Sequence, residues 1–250
     1  MKNKLIKKIL VTLGVLIFWL LVWQLFSLIV NDSYLLPSPI ETFTALIGLL
    51  GKVSFYRVIL FSFLRVILGL GIGIICGLLI AFVCHRFSPL RRLISPIISI
   101  LKAMPVATFI LLLWITLRGS ALTIFIGTIM VMPIIFQNTL EGLDSLDRDL
   151  DEVTQIFEFG IIKRLRIFIF PSLLPYLSAA IITSVGLAFK SQIAAEIIAY
   201  TKNSIGQYIY DANFSLKTDL VFAWAVVIVA FSIRLESLCR RLLRRYKKNA

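Results

Sequence analysis

The run VILFSFLRVILGLGIGIICGLLIAFVC, Val58 to Cys84, decides how the rest of the chain is read. It carries a single charge, Arg65, in 27 residues. A bilayer-spanning helix needs roughly 20 apolar residues. An amphipathic helix of a soluble protein keeps one polar face, and this run keeps none. It reads as a membrane span.

Composition extends that reading to the whole chain. Of 250 residues, 59% are hydrophobic and 16% are charged. Soluble domains carry about 45–50% apolar and about 25% charged residues. A large water-soluble domain is excluded, and six spans would use about half of the chain at ~20 residues each. The net charge of +13 fits a membrane protein whose cytoplasmic loops collect Lys and Arg, so nucleic acid is not an expected partner. Cys76, Cys84 and Cys239 have no tight spacing, so they predict neither a disulfide framework nor a zinc site.

Outward from the central run, the pattern predicts an all-α membrane protein with six transmembrane helices in one domain, 1–250. The spans fall near 9–30, 58–84, 97–117, 121–140, 172–200 and 219–238. The first follows a basic start, MKNKLIKK, and outruns the apolar core of a signal peptide, about 7–15 residues, so it is expected to be retained. Leu36-Pro37-Ser38-Pro39 is a rigid extended approach to a short amphipathic helix, Ile40 to Leu50. Arg118-Gly119-Ser120 is a tight polar break. Pro105 and Pro133 each remove a backbone hydrogen bond and predict kinks.

Six spans put both termini on one side. With the termini cytoplasmic, 18 of the 26 basic residues fall inside, among them Lys2, Lys4, Lys7, Lys8, Arg86, Arg91, Arg92 and the tail from Arg240. Lys52, Arg57, Arg118, Lys202 and Lys217 fall outside. That bias predicts cytoplasmic N and C termini.

The segment 141–171 cannot lie in hydrocarbon. It holds Glu141, Asp144, Asp147, Asp149, Asp151, Glu152 and Glu158, seven of the chain's 13 acids, followed by Lys163, Arg164 and Arg166. Val153, Ile156, Phe157, Gly160 and Ile161 recur at helical spacing, predicting one or two short amphipathic helices at the cytoplasmic face. Such a helix suits a groove on a soluble partner. The alternating Asp147, Asp149 and Asp151 lack the Gly and later Glu of a calcium loop, and read as a solvated face.

Gly69, Gly73 and Gly77 form a smooth stripe that admits a second helix closely. It suits either static helix packing or a sliding surface. Arg65, Lys190 and Glu196 are ionisable at membrane depth, where such residues mark pathways or pair with one another. Lys190 and Glu196 are six apart, about 240° around a helix at ~3.6 residues per turn, so each needs another partner. Lys190 suits attraction of an anion or an interhelical polar contact. Glu196 suits gating or an interfacial contact, and Arg65 an anchor at the interface.

Glu152-Val153-Thr154, a later glycine and Pro171 resemble the EAA loop of ABC-importer permeases. The surroundings resemble permeases of the nitrate, sulfonate and taurine type. These are Leu36-Pro37-Ser38-Pro39, Ser62-Phe63-Leu64-Arg65-Val66 with Gly69, Ser95-Pro96 through Met104-Pro105, Gly186-Leu187-Ala188-Phe189, Ala194-Ala195-Glu196 and Ser204-Ile205-Gly206. The resemblance covers roughly residues 35–238. Val153 and Thr154 replace two alanines, the usual loop glycine falls on Glu158 with Gly160 two residues later, and Ser204 replaces a glycine.

The resemblance implies a type I ABC-importer permease of a bacterial cell membrane. It implies two copies, or one with a similar permease, joined to two ABC ATPase subunits and an extracytoplasmic solute-binding protein. The coupling residues would be Glu152, Val153, Thr154, Glu158, Gly160 and Pro171, with Glu152 accepting hydrogen bonds and Gly160 permitting a sharp turn. The path would involve Arg65, Lys190 and Glu196. The solute would be a sulfonate, taurine, nitrate or bicarbonate, or alternatively a thiamine-precursor pyrimidine or another neutral heterocycle.

No G-x-x-x-x-G-K-[ST] occurs, so ATP would be bound by a partner chain and this chain needs no cofactor. No H-E-x-x-H or G-x-S-x-G occurs, and His85 is the only histidine, so no enzyme chemistry is expected. An ATPase-independent carrier or channel is the rival reading. It predicts paired intramembrane charges or inverted repeats, and no repeat is evident.

Overall fold

Every apolar run of the sequence folds into helix, because a backbone in hydrocarbon must satisfy its own hydrogen bonds. The computed structural model describes the backbone of residues 2–249, and the side chains of these except 2–6, 8, 9, 148, 151, 155 and 244–249. The side chains of Lys2, Lys4, Lys8, Arg148, Asp151 and the tail from Arg244, on which the charge reading drew, lie outside the described residues. Along the chain run α1 (Lys2–Val30), α2 (Pro39–Leu50), α3 (Val53–Arg86), α4 (Ser88–Ala103), α5 (Val106–Trp114) and α6 (Gly119–Asp144). There follow α7 (Arg148–Ile156), α8 (Ile161–Arg164), a π-helical turn (Leu165–Ile169), α9 (Phe170–Ile198), α10 (Ile205–Phe214) and α11 (Thr218–Asn249). Among the described residues there is no strand. Among the described residues, five helical stretches are long and apolar enough to cross a membrane, or six if α4 and α5 count as one span.

The stretch 97–117, expected as one span with a kink at Pro105, is broken there into two helices. α4 and α5 meet at a 100° bend. Pro105 lacks the N–H that would continue the ladder, and Met104 before it is extended at φ −76°, ψ 131°. The residue preceding a proline is driven out of the helical region in this way. Pro133, by contrast, is carried inside α6.

The span expected from 172 begins earlier. Helix is continuous from Ile161 to Ile198. The π turn makes this continuity compatible with Pro171: the N–H of Phe170 reaches back to Leu165 O, a wide i→i+5 bond, just before a residue that has no N–H to give. A π turn inserts one residue and often marks a functional site. The linker between α6 and this helix therefore shortens to residues 145–160, with α7 inside it.

The chain divides into two compact units, residues 1–58 with 208–229, and residues 59–207 with 230–250. In the first, Trp23 donates to Pro37 O at 3.0 Å and Ser27 to Leu36 O at 3.1 Å, tying α1 to the extended Leu36–Pro39 segment. Ser38 and Glu41 then form a reciprocal capping box, with Pro39 in the first turn of α2. Trp224 packs against the tilted rings of Phe55 and Tyr208, with ring centroids 5.2 and 5.8 Å away. Most apolar side chains of α1 between Leu10 and Val30 are exposed, as on a helix facing lipid.

The second unit is built on α6 and α9, with α3, α4 and α5 against them. Phe109 and Ile110 of α5 meet Leu122, Ile126 and Met130 of α6 and Ala195 of α9. Ala81 and Cys84 of α3 meet Ile98 of α4 and Phe136 and Leu140 of α6. Apolar burial gains little against lipid, so close approach of small residues does the holding. A Cβ on Gly73 would stand 2.7 Å from Val131 Cβ, and one on Gly77 would stand 2.8 Å from Ile135 Cβ and from Met132 O. Gly69 is equally close to Ile124 O, at 2.8 Å, whereas Gly71 faces open space. The stripe is thus the seat of α6 on α3.

Candidate functional site

Ser62 and Arg65 lie three apart, on one face of α3. Glu196 lies in the last turn of α9. The structure brings them together. Arg65 Nη1 donates to Glu196 Oε1 at 3.1 Å, and Ser62 Oγ donates to Glu196 Oε2 at 2.8 Å. The N–H of Gly206 adds a third bond to Oε2 at 3.3 Å. Glu196 is 1% exposed and Arg65 8%. Charges buried in this way must be paired and hydrogen-bonded.

The rest of the guanidinium holds two chain connections. Nε donates to Ser120 Oγ at 2.9 Å, at the start of α6. Nη1 and Nη2 donate to the carbonyls of Asn203 and Lys202, both at 3.2 Å, in the loop after α9. The fork of donors on one planar group makes this multiple anchoring available to Arg and not to Lys. Ser62 Oγ also accepts the N–H of Ile205, so α3 grips the first turn of α10. One turn earlier in α9, the Gln192 amide faces the carbonyls of Arg65 and Thr123, and turned with its nitrogen toward them it donates to both, at 2.9 and 3.3 Å. Its amide occupies the space that a Cβ on Gly127 would need.

The two connections border an open cavity of about 760 Å³ at the Gly119 end of α6. Trp114, Arg118 and Ser120 line one side, and Tyr200, Thr201 and Lys202 the other. Tyr200 adopts φ +47°, the left-handed conformation that usually falls to glycine at the end of a helix.

At the opposite end of α6 lies the acidic linker. Asp144 holds Arg91 at 2.7 Å and His85 at 3.2 Å, pinning the ends of α3 and α6 and the start of α4 to one another. Asp147 Oδ1 accepts the N–H of Asp149 at 2.9 Å, opening α7. Along α7 Glu152 and Val153 are exposed, while Thr154 is 6% exposed. Ile156, Phe157, Ile161 and Ile162 are all exposed apolar residues. The turn after α7 closes by a bond from Phe159 N–H to Thr154 O at 3.0 Å.

The left-handed residue of that turn is Glu158, at φ +48°. Gly160, expected to permit the sharp turn, has an ordinary φ of −57° and open space around it. This corrects the expectation: the turn closes two residues earlier, where α7 ends, and Gly160 instead begins α8. Pro171 lies in the first turn of α9, directly after the π turn.

The sequence model of the family described as "Binding-protein-dependent transport system inner membrane component" matches residues 69–248. The chain belongs to that family. Among curated relatives, a Bacillus subtilis (strain 168) protein named as an aliphatic sulfonates transport permease, SsuC, is 28% identical over 157 residues, 62% of this chain and 56% of that one. The bicarbonate transport system permease protein CmpB of Synechococcus elongatus is 29% identical over 120 residues, 48% of this chain and 42% of that one. The nitrate import permease protein NrtB of the same organism is 28% identical, again over 48% of this chain. These matches span about half the length of the relatives. A taurine transport system permease protein, TauC of Escherichia coli (strain K12), is 25% identical over 62% of this chain and 57% of that one.

The fold agrees. A bacterial ABC transporter involved in the import of the acidic polysaccharide alginate superposes with TM-score 0.66 at 17% identity, covering 97% of this chain and 98% of that one. The MetNI methionine ABC transporter superposes with TM-score 0.60 at 18% identity, over 76% of this chain and 93% of that one. Over its described residues the chain is all-helical, as expected of an inner membrane component of this family.

Of the three membrane-depth charges singled out in the sequence, Arg65 and Glu196 meet and Lys190 stands apart, exposed on another face of α9. Arg65 is not an interfacial anchor: its cation is spent inside the bundle. Sequence reasoning passed over Gln192 and Glu236. Gln192 was signalled by an amide in an apolar run. Glu236 of α11 presses its carboxylate on Gly186 of α9, in the space that a side chain there would fill. Its signal was an acid inside the last apolar run.

Proposed function

We propose that this permease is the membrane-spanning subunit of an ATP-driven importer, and that its solute is a small anion. The observation that carries the reading is the placement of α7. It is a short amphipathic helix with an exposed apolar flank and an exposed Glu152, set between α6 and the helix that continues into α9. A partner that grips such an element moves the two most central helices of the second unit together.

In this reading α7 and its closing turn, with Glu152, Val153, Thr154, Glu158, Gly160 and Pro171, form the surface for an ABC ATPase. Two permeases pair, two ATPases bind the linkers, and a solute-binding protein delivers at the far side. Both termini then lie in the cytoplasm, and α7 with them. ATP belongs to the partner, and the chain itself uses no cofactor. Lys190 supports an anionic solute: it is the one of the three membrane-depth charges that the chain leaves exposed. Relatives named for sulfonates, bicarbonate and nitrate point to the same solute class.

The test is purification of the tagged permease from native membranes in mild detergent, beside Glu152→Ala. A P-loop ATPase recovered near one-to-one with the wild type and depleted in the variant supports the coupling role. Solute movement by the purified chain alone in liposomes, with no ATPase recovered, would establish the carrier reading instead.

A further inference from the structure

The cavity at the Gly119 end of α6 combines four features that point to one kind of ligand. First, two cations border it, Arg118 and Lys202. Neither has an acidic partner among the described residues, and no Asp or Glu lines the cavity. Second, Arg118 is the residue before the first turn of α6, and its side chain does not cap that turn. The leading N–H groups of a 26-residue helix are therefore left for a ligand, and a helix N-terminus favours an anion.

Third, Thr201 is 2% exposed and its hydroxyl has no hydrogen-bond partner. A buried hydroxyl without a partner is uncommon in a native structure and calls for a missing one. Fourth, Trp114 and Tyr200 give the same cavity aromatic surface. Tyr200 is held in the left-handed conformation that a glycine would adopt without strain, so an aromatic ring stands where the backbone alone would not favour one.

We propose that this cavity binds an organic oxyanion. The head group sits between Arg118, Lys202 and the first N–H groups of α6, within reach of the Thr201 hydroxyl. The organic tail lies on Trp114 and Tyr200. The inference rests on the anion-import reading and narrows it, from any small anion to one with an apolar tail. It also gives the Arg65 clasp a role at the site. Arg65 holds Ser120 on one wall and the Lys202 carbonyl on the other, so it is a positioning residue that sets the distance between the two cations. Under the orientation proposed above, the cavity opens on the extracytoplasmic side, where solute arrives.

The experiment is calorimetric titration of the full-length chain in phosphatidylcholine nanodiscs with sodium butane-1-sulfonate, sodium methanesulfonate and sodium chloride, at constant ionic strength. The expected result is saturable binding of butanesulfonate, weaker binding of methanesulfonate and none of chloride. Arg118→Gln and Lys202→Gln should each weaken binding by about tenfold or more, as loss of a charge-assisted hydrogen bond does. Lys202→Arg should restore it. Trp114→Ala should abolish the preference for the longer tail and leave methanesulfonate binding intact. Lys52→Gln, a cation outside the cavity, should change nothing.

Absence of saturable binding to the wild type overturns the proposal. So does binding that both glutamine variants leave intact in folded, monodisperse protein. Sulfonate binding that vanishes only when phosphatidylglycerol replaces the lipid would assign the site to lipid phosphate and overturn it also. Uptake by the whole transporter separates this inference from the function it rests on. Binding by the chain with no import of any oxyanion sinks the import reading and leaves the site. Unchanged organosulfonate import by both glutamine variants sinks the site and leaves the import reading.

Discussion

Arg65 of α3 and Glu196 of α9 form a buried ion pair at 3.1 Å across 131 residues of sequence. The carboxylate is closed off by Ser62 and Gly206, and the guanidinium by Ser120 and two loop carbonyls. With both carboxylate oxygens and all three guanidinium nitrogens engaged, the pair locks the Gly119 end of the second unit. A membrane-depth charge pair is also what a proton- or ion-coupled carrier displays. Here the near-complete burial of Glu196 argues for positioning over transport.

Breaking one side of this pair is expected to destabilise the protein far more than replacing both. Arg65→Met leaves Glu196 buried without its counter-ion, and a loss of about 3–5 kcal/mol is expected. The double variant Arg65→Met with Glu196→Leu should recover a large part of it. Thermal unfolding of the four proteins in one detergent, treated as a double-mutant cycle, measures this. A double variant that loses the sum of the two single losses would show that the pair is not coupled.

The glycine stripe predicts a sharp positional contrast. Gly73→Ala puts a methyl group on Val131 and the Thr128 carbonyl, and overpacking of this kind costs about 1–3 kcal/mol. Gly71→Ala meets nothing, and should be neutral or slightly stabilising through the helix propensity of Ala. Unfolding midpoints of the two variants settle it. A tolerated Gly73→Ala would mean that α3 and α6 do not approach this closely.

The turn after α7 predicts a gain. Glu158 is left-handed, and a non-glycine residue pays about 1 kcal/mol there. Glu158→Gly should therefore slow amide exchange of Phe157 and Phe159 in hydrogen–deuterium mass spectrometry. Gly160→Ala, at an ordinary φ with free space, should leave exchange unchanged. The reverse pattern would move the turn to Gly160.

The capping box of α2 predicts a pH dependence. The carboxyl of Glu41 is held below its ordinary value of 4.5, first by the Ser38 N–H and then by the Ser33 and Ser38 hydroxyls. A carboxyl lowered in the folded state stabilises above its unfolded pKa, and the contribution is lost as pH falls through the lower folded value. The loosening of α2 should thus be confined to acid below 4.5. Carbon-13 titration of the Glu41 carboxyl should show a depressed midpoint that moves back up in Ser38→Ala. An undisplaced midpoint would mean that the box does not form in solution.

Much of this protein is determined by sequence alone, because hydrocarbon leaves the backbone few choices. Uninterrupted apolar length specifies where helices cross, and Pro37-Ser38-Pro39 with Glu41 specifies how α2 begins. The glycines at four-residue spacing specify a close helix contact, though not its partner. The acidic run specifies which linker stays out of the lipid.

What only the tertiary structure decided are relations between residues remote in sequence. Helical spacing shows that Lys190 cannot face Glu196, but it does not say that Arg65, on another helix, does. Spacing locates a glycine at 160, whereas the end of α7 places the left-handed turn at Glu158. Pro105 signals a break without its 100° angle, which depends on what α4 and α5 each pack against. The cavity bordered by Arg118 and Lys202 has Ser120 and Lys202 on its two sides, and Arg65, from a third helix, bonds to both. Local rules act over one or two turns of chain, and pairings across 131 residues are made by packing.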